Sequence, residues 1–359
     1  MARVRMTKWL KYTGAGRLRG SGARWWTLAA ALAGAVLFIW IISRVDTGRF
    51  VDALRQADLT YAAMVPLSII AEQLARAWKW RQLLGQIQWV RSLRLFGAIM
   101  AGYFAGILVP LGISPIVRSW LVARMEGLKM GTVLATAAID RLTDGLVFSG
   151  FVAVFLIFAA IPGANQNVAL GLGLVGAVSA VGICLIGVAM WRWKRGSNWV
   201  NRFLGRLAPR LPARFSAPIL EAAKSFAHGV VWPRQFSRGL GIVLASIVIK
   251  LIAMTHFLFA GLAFGFLLRP LDYLFLLVFL GFLVILSRIA RVPGGFLIGA
   301  VFAFDLLGVS EERALLAALL VQFSSLLTVS TLGAFAFWRS NVSYRALKRA
   351  AKGAGLGKA

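Results

Sequence analysis

The 359-residue chain is 60% hydrophobic and 14% charged, with 40 Lys/Arg against 12 Asp/Glu and a formal net charge of +28. No polar stretch is long enough to fold as a separate soluble domain, so the composition reads as one all-α polytopic membrane protein. The positive charge lies in blocks beside apolar segments, which suits a membrane surface and excludes nucleic acid, while Cys184 alone and the isolated His228 and His256 exclude disulfides, metal and cofactor.

Seven Lys/Arg and no acid precede Trp25, so 1–24 reads as a basic cytoplasmic segment at a bacterial inner membrane. The apolar run after it ends in Phe38-Ile39-Trp40-Ile41-Ile42 rather than in small residues, and an uncleaved anchor over 25–43 is expected. A span needs about 20 mainly apolar residues. Further candidates lie at 60–84, 131–161, 168–191, 239–268 and 314–338. Two more apolar regions are broken: 95–124 at Pro110-Leu111-Gly112, and 271–308 at Pro293-Gly294-Gly295. Interrupted segments at corresponding places in two halves are the pattern of a transporter with internal repeats, so 25–338 is expected to be a single membrane domain of two inverted repeats.

Loop charges orient the spans. The connection 44–58 balances Arg44, Arg49 and Arg55 with Asp46, Asp52 and Asp58, as an exported loop does. Arg76, Lys79, Arg81, Arg91 and Arg94 return the chain to the cytoplasm. If 95–113 were an ordinary span, the loop 192–238, with ten Lys/Arg against Glu221 alone, would be exported. Reading 95–124 and 271–308 as re-entrant hairpins that enter from opposite faces restores every sign. The expectation is about six full spans plus two inverted hairpins, with both termini and the tail 339–359 cytoplasmic. Eight full spans is the alternative. Trp78, Trp80, Trp89, Trp199, Trp232 and Trp338 fall near the cytoplasmic interface on this reading, and 198–226 is expected to be an interfacial amphipathic helix.

Several motifs occur in a recognisable order. They are Arg76-Ala77-Trp78-Lys79-Trp80-Arg81, then Gly102-Tyr103-Phe104 through Pro110 to Arg118-Ser119-Trp120-Leu121-Val122-Ala123-Arg124. Ala138-Ile139-Asp140-Arg141-Leu142-Thr143-Asp144 and Pro293-Gly294-Gly295 with Gly308-Val309 complete the set. Together they resemble the flippase-like transmembrane region of lysylphosphatidylglycerol synthases, a family that also includes free-standing membrane proteins, some of them hopanoid-associated. The resemblance runs from Leu28 to Trp338. It implies lipid translocation without the aminoacyl-transferase domain that synthesises the lysyl lipid. Departures are informative: the family's acidic residue before the Arg118 position is absent, Gly-x-x-Glu after the second turn is Leu297-Ile298-Gly299-Ala300, and an Arg of the last helix is Gln322. Two carboxylates are missing while several arginines stay.

A charge at bilayer depth costs about 2.5–3.5 kcal/mol on insertion scales, so it has a partner or a function. Asp140 and Asp144 stack at i, i+4, with Arg141 within i, i+3 reach of Asp144. With Arg118 they are expected to form either a gate or an internal salt bridge. Arg118, Arg141, Arg288 and Arg291 are the candidate substrate-binding residues, the last two beside the second turn, because guanidinium forks suit phosphate. Pro110, Gly112, Pro293, Gly294 and Gly295 are the expected turns. Lys250 either faces the cavity, snorkels or pairs with Asp140, and Glu72 with Arg76 is an i, i+4 pair. No residue is expected to be catalytic: the Asp140/Asp144 pair lacks the second carboxylate element of a Mg²⁺ transferase site, and no phosphate loop or nucleophile elbow is present. The expected function is translocation of an anionic or phosphate-bearing membrane lipid between leaflets. A lipid-modifying enzyme and a non-transporting scaffold for lipid or hopanoid synthesis are the alternatives; protein partners and oligomeric state are not encoded legibly.

Overall fold

Apolar runs in lipid must satisfy their backbone internally and therefore coil, and the elements below are all helices. The computed structural model describes residues 46–108, 113–158, 235–290 and 294–339, together with Val181, Ser225, Gly229, Val230, Trp232 and Pro233. The expected anchor 25–43, the span 168–191, most of the basic loop 192–238 with its amphipathic helix, and the tail beyond Arg339 lie outside the described residues. So do Pro110, Gly112, Arg291 and Pro293.

The helices are α1 (Thr47–Arg55), α2 (Leu59–Leu84), α3 (Ser92–Leu108), α4 (Ser114–Glu126), α5 (Met130–Phe158), α6 (Phe236–Ala263), α7 (Pro270–Ala290), α8 (Gly295–Asp305) and α9 (Glu311–Arg339). Asp46 and Asp58, which the sequence reads only as exported charge, are also N-caps. Asp46 Oδ1 accepts from Gly48 N at 2.8 Å, and Asp58 Oδ1 accepts from Thr60 N at 2.8 Å. By length and composition α6 and α9 are each able to cross a membrane. Their counterparts α2 and α5 have 26 and 29 residues, but Glu72, Arg76, Lys79, Asp140, Arg141 and Asp144 interrupt their apolar character.

The order long helix, helix–turn–helix, long helix occurs twice: α2, α3–α4, α5 and then α6, α7–α8, α9. Over the second part of each unit the register is constant. An offset of 181 carries Ser114 to Gly295, Met130 to Glu311 and Phe158 to Arg339. The same offset carries Gly127 (φ 69°) to Gly308 (φ 76°), a left-handed position that Gly takes at little cost. Each ends its short helix alike, with Leu128 N donating to Ala123 O at 2.9 Å and Val309 N to Phe304 O at 3.1 Å. Packing obeys the same exchange. The two leading helices α2 and α6 pack on each other, α3 lies on α9, and α7 lies on α5.

The arms of each helix–turn–helix pack together, and their outer ends meet. Arg94 Nη1 near the start of α3 pairs with Glu126 Oε1 at the end of α4, at 3.0 Å. Phe266, just before α7, stacks edge-on with Phe304 at the end of α8, centroids 5.6 Å apart. Close approach depends on missing Cβ atoms. A Cβ on Gly102 would stand 2.9 Å from Ser114 O and 3.0 Å from Arg118 Cβ, so this glycine lets α4 lie on α3. At the α3–α9 crossing, a Cβ on Gly333 would stand 2.6 Å from Met100 O. At the equivalent α7–α5 crossing the glycine is Gly281, the 181-offset counterpart of Met100, facing Phe148.

Two apolar cores result. One joins Ala77, Trp80, Leu83 and Leu84 at the end of α2, and Val133 to Ile139 at the start of α5, with the first hairpin. The other joins Val65 and Ile69 at the start of α2, and Val152 and Phe155 at the end of α5, with the second hairpin. The hairpins thus pack against opposite ends of the same two helices, and the charged residues lie between.

Candidate functional site

Helical phase brings those charges together. Ser68, Glu72, Arg76 and Lys79 recur at intervals of four, four and three, one stripe along α2. Asp140 and Asp144 face it from α5, about 15 and 21 Å along that helix at 1.5 Å per residue. Lys79 is fully buried. Its Nζ reaches Asp144 Oδ1 at 2.6 Å, Asp140 Oδ1 at 3.1 Å and the Asp140 carbonyl at 2.9 Å, three acceptors for three N–H bonds. Arg76 holds Asp144 Oδ2 at 3.1 Å with Nη1 and Glu72 Oε1 at 2.6 Å with Nη2. From the hairpin arm α4, buried Arg118 reaches Asp140 Oδ2 at 3.3 Å and lies 4.8 Å over the Trp80 ring. Trp80 in turn donates to Thr136 Oγ1 at 3.0 Å.

This inner network balances: three carboxylates (Glu72, Asp140, Asp144) against three cations (Arg76, Lys79, Arg118). Single buried charges would be prohibitive, and mutual pairing is what lets them sit at this depth. Arg118 Nε and Ser119 Oγ remain buried without a partner among the described residues.

Two further cations adjoin the network without a carboxylate within 4.0 Å among the described residues. Arg141 is exposed and donates from Nη2 to Tyr103 Oη at 3.3 Å. Lys250 of α6 sits with Nζ 5.1 Å from the Phe148 ring centroid. Among the described residues the region therefore carries more cation than anion, and of the two extra cations Arg141 is the exposed one.

His256 completes the arrangement from α6. Its Nδ1 lies 2.8 Å from Ser68 Oγ and its Nε2 3.2 Å from Glu72 Oε2.

The sequence expectations fare unevenly. Arg118 does meet Asp140, and Glu72 does pair with Arg76. Arg141 does not reach Asp144; it turns to Tyr103, because Arg76 and Lys79 already occupy that carboxylate. Lys250 does not pair with Asp140, whose partners are Lys79 and Arg118. Lys79 and Trp80, read from sequence only for their level near the cytoplasmic interface, are buried inside the protein. The signal for their partners is the polar stripe from Ser68 to Lys79, in a stretch whose Arg and Trp residues speak first of membrane topology. In the second unit, Gly294 (φ 72°) begins α8 as expected of a turn, Gly295 is its first residue, and Arg288 lies on α7 without a described side chain. The 181 offset carries Arg118, Asp140, Arg141 and Asp144 to Gly299, Val321, Gln322 and Ser325. The scaffold is repeated, and its chemistry is not. Among the described residues no group of three or more His, Cys, Asp or Glu could hold a metal ion.

Repeated helical units, broken helices and a buried ion network at mid-helix define the class, a polytopic membrane protein built like a transporter. Residues 26–333 match the model of the family described as the lysylphosphatidylglycerol synthase TM region, and the chain belongs to that family. No curated protein and no solved structure shows significant similarity. Membership carries the flippase-like role of the membrane region, lipid translocation, and sets the chain apart from the aminoacyl-transferring catalysis of the synthases.

Proposed function

We propose that this membrane protein moves lipids bearing an anionic or phosphate headgroup between leaflets, holding the headgroup beside Arg141. The observation that carries this reading is the accessible guanidinium of Arg141, free of any described carboxylate, beside a neutral network at mid-helix. Arginine presents donors in a planar fork that matches phosphate or carboxylate. Lys250 adds a second uncompensated charge, and acyl chains remain in lipid. Arg118 and the Asp140/Asp144 pair hold hairpin to helix and so form the hinge or gate of this site.

Two hairpins entering from opposite faces fit this function. The pairing of Arg94 with Glu126 supports a re-entrant first hairpin, since both its ends lie at one level. Helices α4 and α8, of 13 and 11 residues, are about 20 and 16 Å long against a hydrocarbon core of about 30 Å. Cores at opposite ends of α2 and α5 support inversion. Arg288 and Arg291, which the sequence sets beside the second turn, are the further candidates for the headgroup, and both termini are cytoplasmic at the inner membrane.

The test is leaflet exchange of labelled phosphatidylglycerol and phosphatidylcholine in proteoliposomes. Phosphatidylglycerol exchange is expected to fall at least about tenfold in Arg141→Gln, the equivalent of about 1.4 kcal/mol, with unfolding temperature unchanged. Exchange of neither lipid by the unaltered protein would remove the translocase reading.

A further inference from the structure

His256 differs from the other buried charged or titratable side chains of the network in being able to satisfy its neighbours in two protonation states. Ser68 Oγ has one proton and two acceptors in reach: His256 Nδ1 at 2.8 Å and the Val65 carbonyl at 2.7 Å. With the ring neutral, Nε2–H donates to Glu72 Oε2 and the Ser68 hydroxyl donates to Nδ1. With the ring charged, both ring N–H groups donate, to Glu72 and to Ser68 Oγ, and the hydroxyl turns to Val65. Taking up a proton at Nδ1 forms one N–H bond and requires a single hydroxyl rotation. Lys79 offers no such pair of states, because its three protons already have three fixed acceptors.

The position of the ring gives that proton leverage. His256 belongs to the leading helix of the second unit, and Ser68 and Glu72 to that of the first. From Glu72 the pairs run through Arg76, Asp144, Lys79 and Asp140 to Arg118 on the hairpin arm, each link between 2.6 and 3.3 Å. The ionisable groups on the surrounding elements are Tyr61, Glu72, Arg76, Lys79 and Arg81 of α2, Asp140, Arg141 and Asp144 of α5, and Arg238 and Lys250 of α6 itself; α7 contributes Asp272, Tyr273 and Arg288, α8 contributes Asp305, and α9 has none between Arg313 and Arg339. A proton on His256 adds to an existing cationic surplus. An anion beside Arg141 offsets it.

We propose that His256 is a proton-binding site whose occupancy is linked to that of an anionic lipid headgroup at Arg141, so that lipid and proton are carried together. The inference rests on the translocation reading above. Linkage between two sites is reciprocal, so each ligand strengthens the other's binding by the same factor.

A protein whose other histidine is replaced (His228→Gln) reports on His256 alone by NMR of labelled imidazole in detergent. Across a pH titration, phosphatidylglycerol is expected to raise the imidazolium fraction at a given pH and phosphatidylcholine to leave it unchanged. In weakly buffered solution, phosphatidylglycerol should draw in up to one proton per protein, and His256→Gln should abolish the uptake. In proteoliposomes, a gradient of one pH unit should distribute phosphatidylglycerol about tenfold between leaflets, the ratio for one proton per lipid. An imidazolium fraction indifferent to lipid charge overturns the proposal, as does proton uptake undiminished in His256→Gln. Lipid exchange that ignores both pH and His256→Gln overturns coupling and leaves translocation standing. A lipid-dependent imidazolium fraction without any exchange supports the linked site and removes translocation.

Discussion

At the scale of the residue, Lys79 shows how the ion network divides into parts that hold and parts that are free to act. Buried with two carboxylates and a carbonyl on its ammonium, it cannot leave without stranding charge. Removing one partner of a buried pair costs about 3–5 kcal/mol, and Lys79→Met is expected to destabilise by that order, read as a lower unfolding temperature in detergent. Asp144→Asn in the Lys79→Met background should recover part of the loss, because it restores the charge balance while leaving Glu72 paired with Arg76 and Asp140 with Arg118. Arg141 is the contrast. Its 181-offset counterpart is Gln322, so a glutamine already fits the equivalent place on α9. Arg141→Gln should therefore leave stability alone and act on lipid exchange. Only part of this was legible beforehand. The motif around Asp140 marked the carboxylates, and Arg118 followed from its place in the first hairpin. Lys79 escaped because composition reports membrane depth, whereas its partner is set by helical phase and by which helix lies opposite.

At the scale of the element, the hairpins depend on a few contacts from which a Cβ is missing. The sequence marks both turns by Pro and Gly but says nothing of the crossings, because Gly333 sits in an ordinary Ala- and Leu-rich helix and Gly281 in a Phe-rich one. Their role appears only when α9 meets Met100 and α7 meets Phe148. At Gly333 the opposing atom is a backbone oxygen, which cannot rotate away; at Gly281 it is the edge of a Phe148 ring, which can. Overpacking of this kind costs about 1–3 kcal/mol. Gly333→Ala is expected to lower the unfolding temperature more than Gly281→Ala. Equal effects would mean that the two crossings yield alike and that the backbone contact is not the constraint.

At the scale of the whole molecule, a symmetric scaffold carries an asymmetric site. The pairing of α2 with α6, α3 with α9 and α7 with α5 treats the two units alike, yet the second unit places Gly299, Val321, Gln322 and Ser325 where the first has Arg118, Asp140, Arg141 and Asp144. On the proposed reading, rocking one unit against the other would carry a single headgroup site past a partner that bears no charge at the equivalent places, and that motion needs hairpins that enter and leave by the same face. Labelling settles this directly. In a Cys184→Ser background, single cysteines at Trp89 and Lys129 bracket the first hairpin, and cysteines at Arg269 and Ser310 bracket the second. Re-entrant hairpins predict that the first pair reacts with an impermeant maleimide only from the cytoplasmic side and the second pair only from the outside. Full spans predict that each pair splits between the two sides. The 3.0 Å pairing of Arg94 with Glu126 sets the two ends of the first hairpin at one level, so the first pair is expected to label from one face only, and a split pair would remove the re-entrant reading.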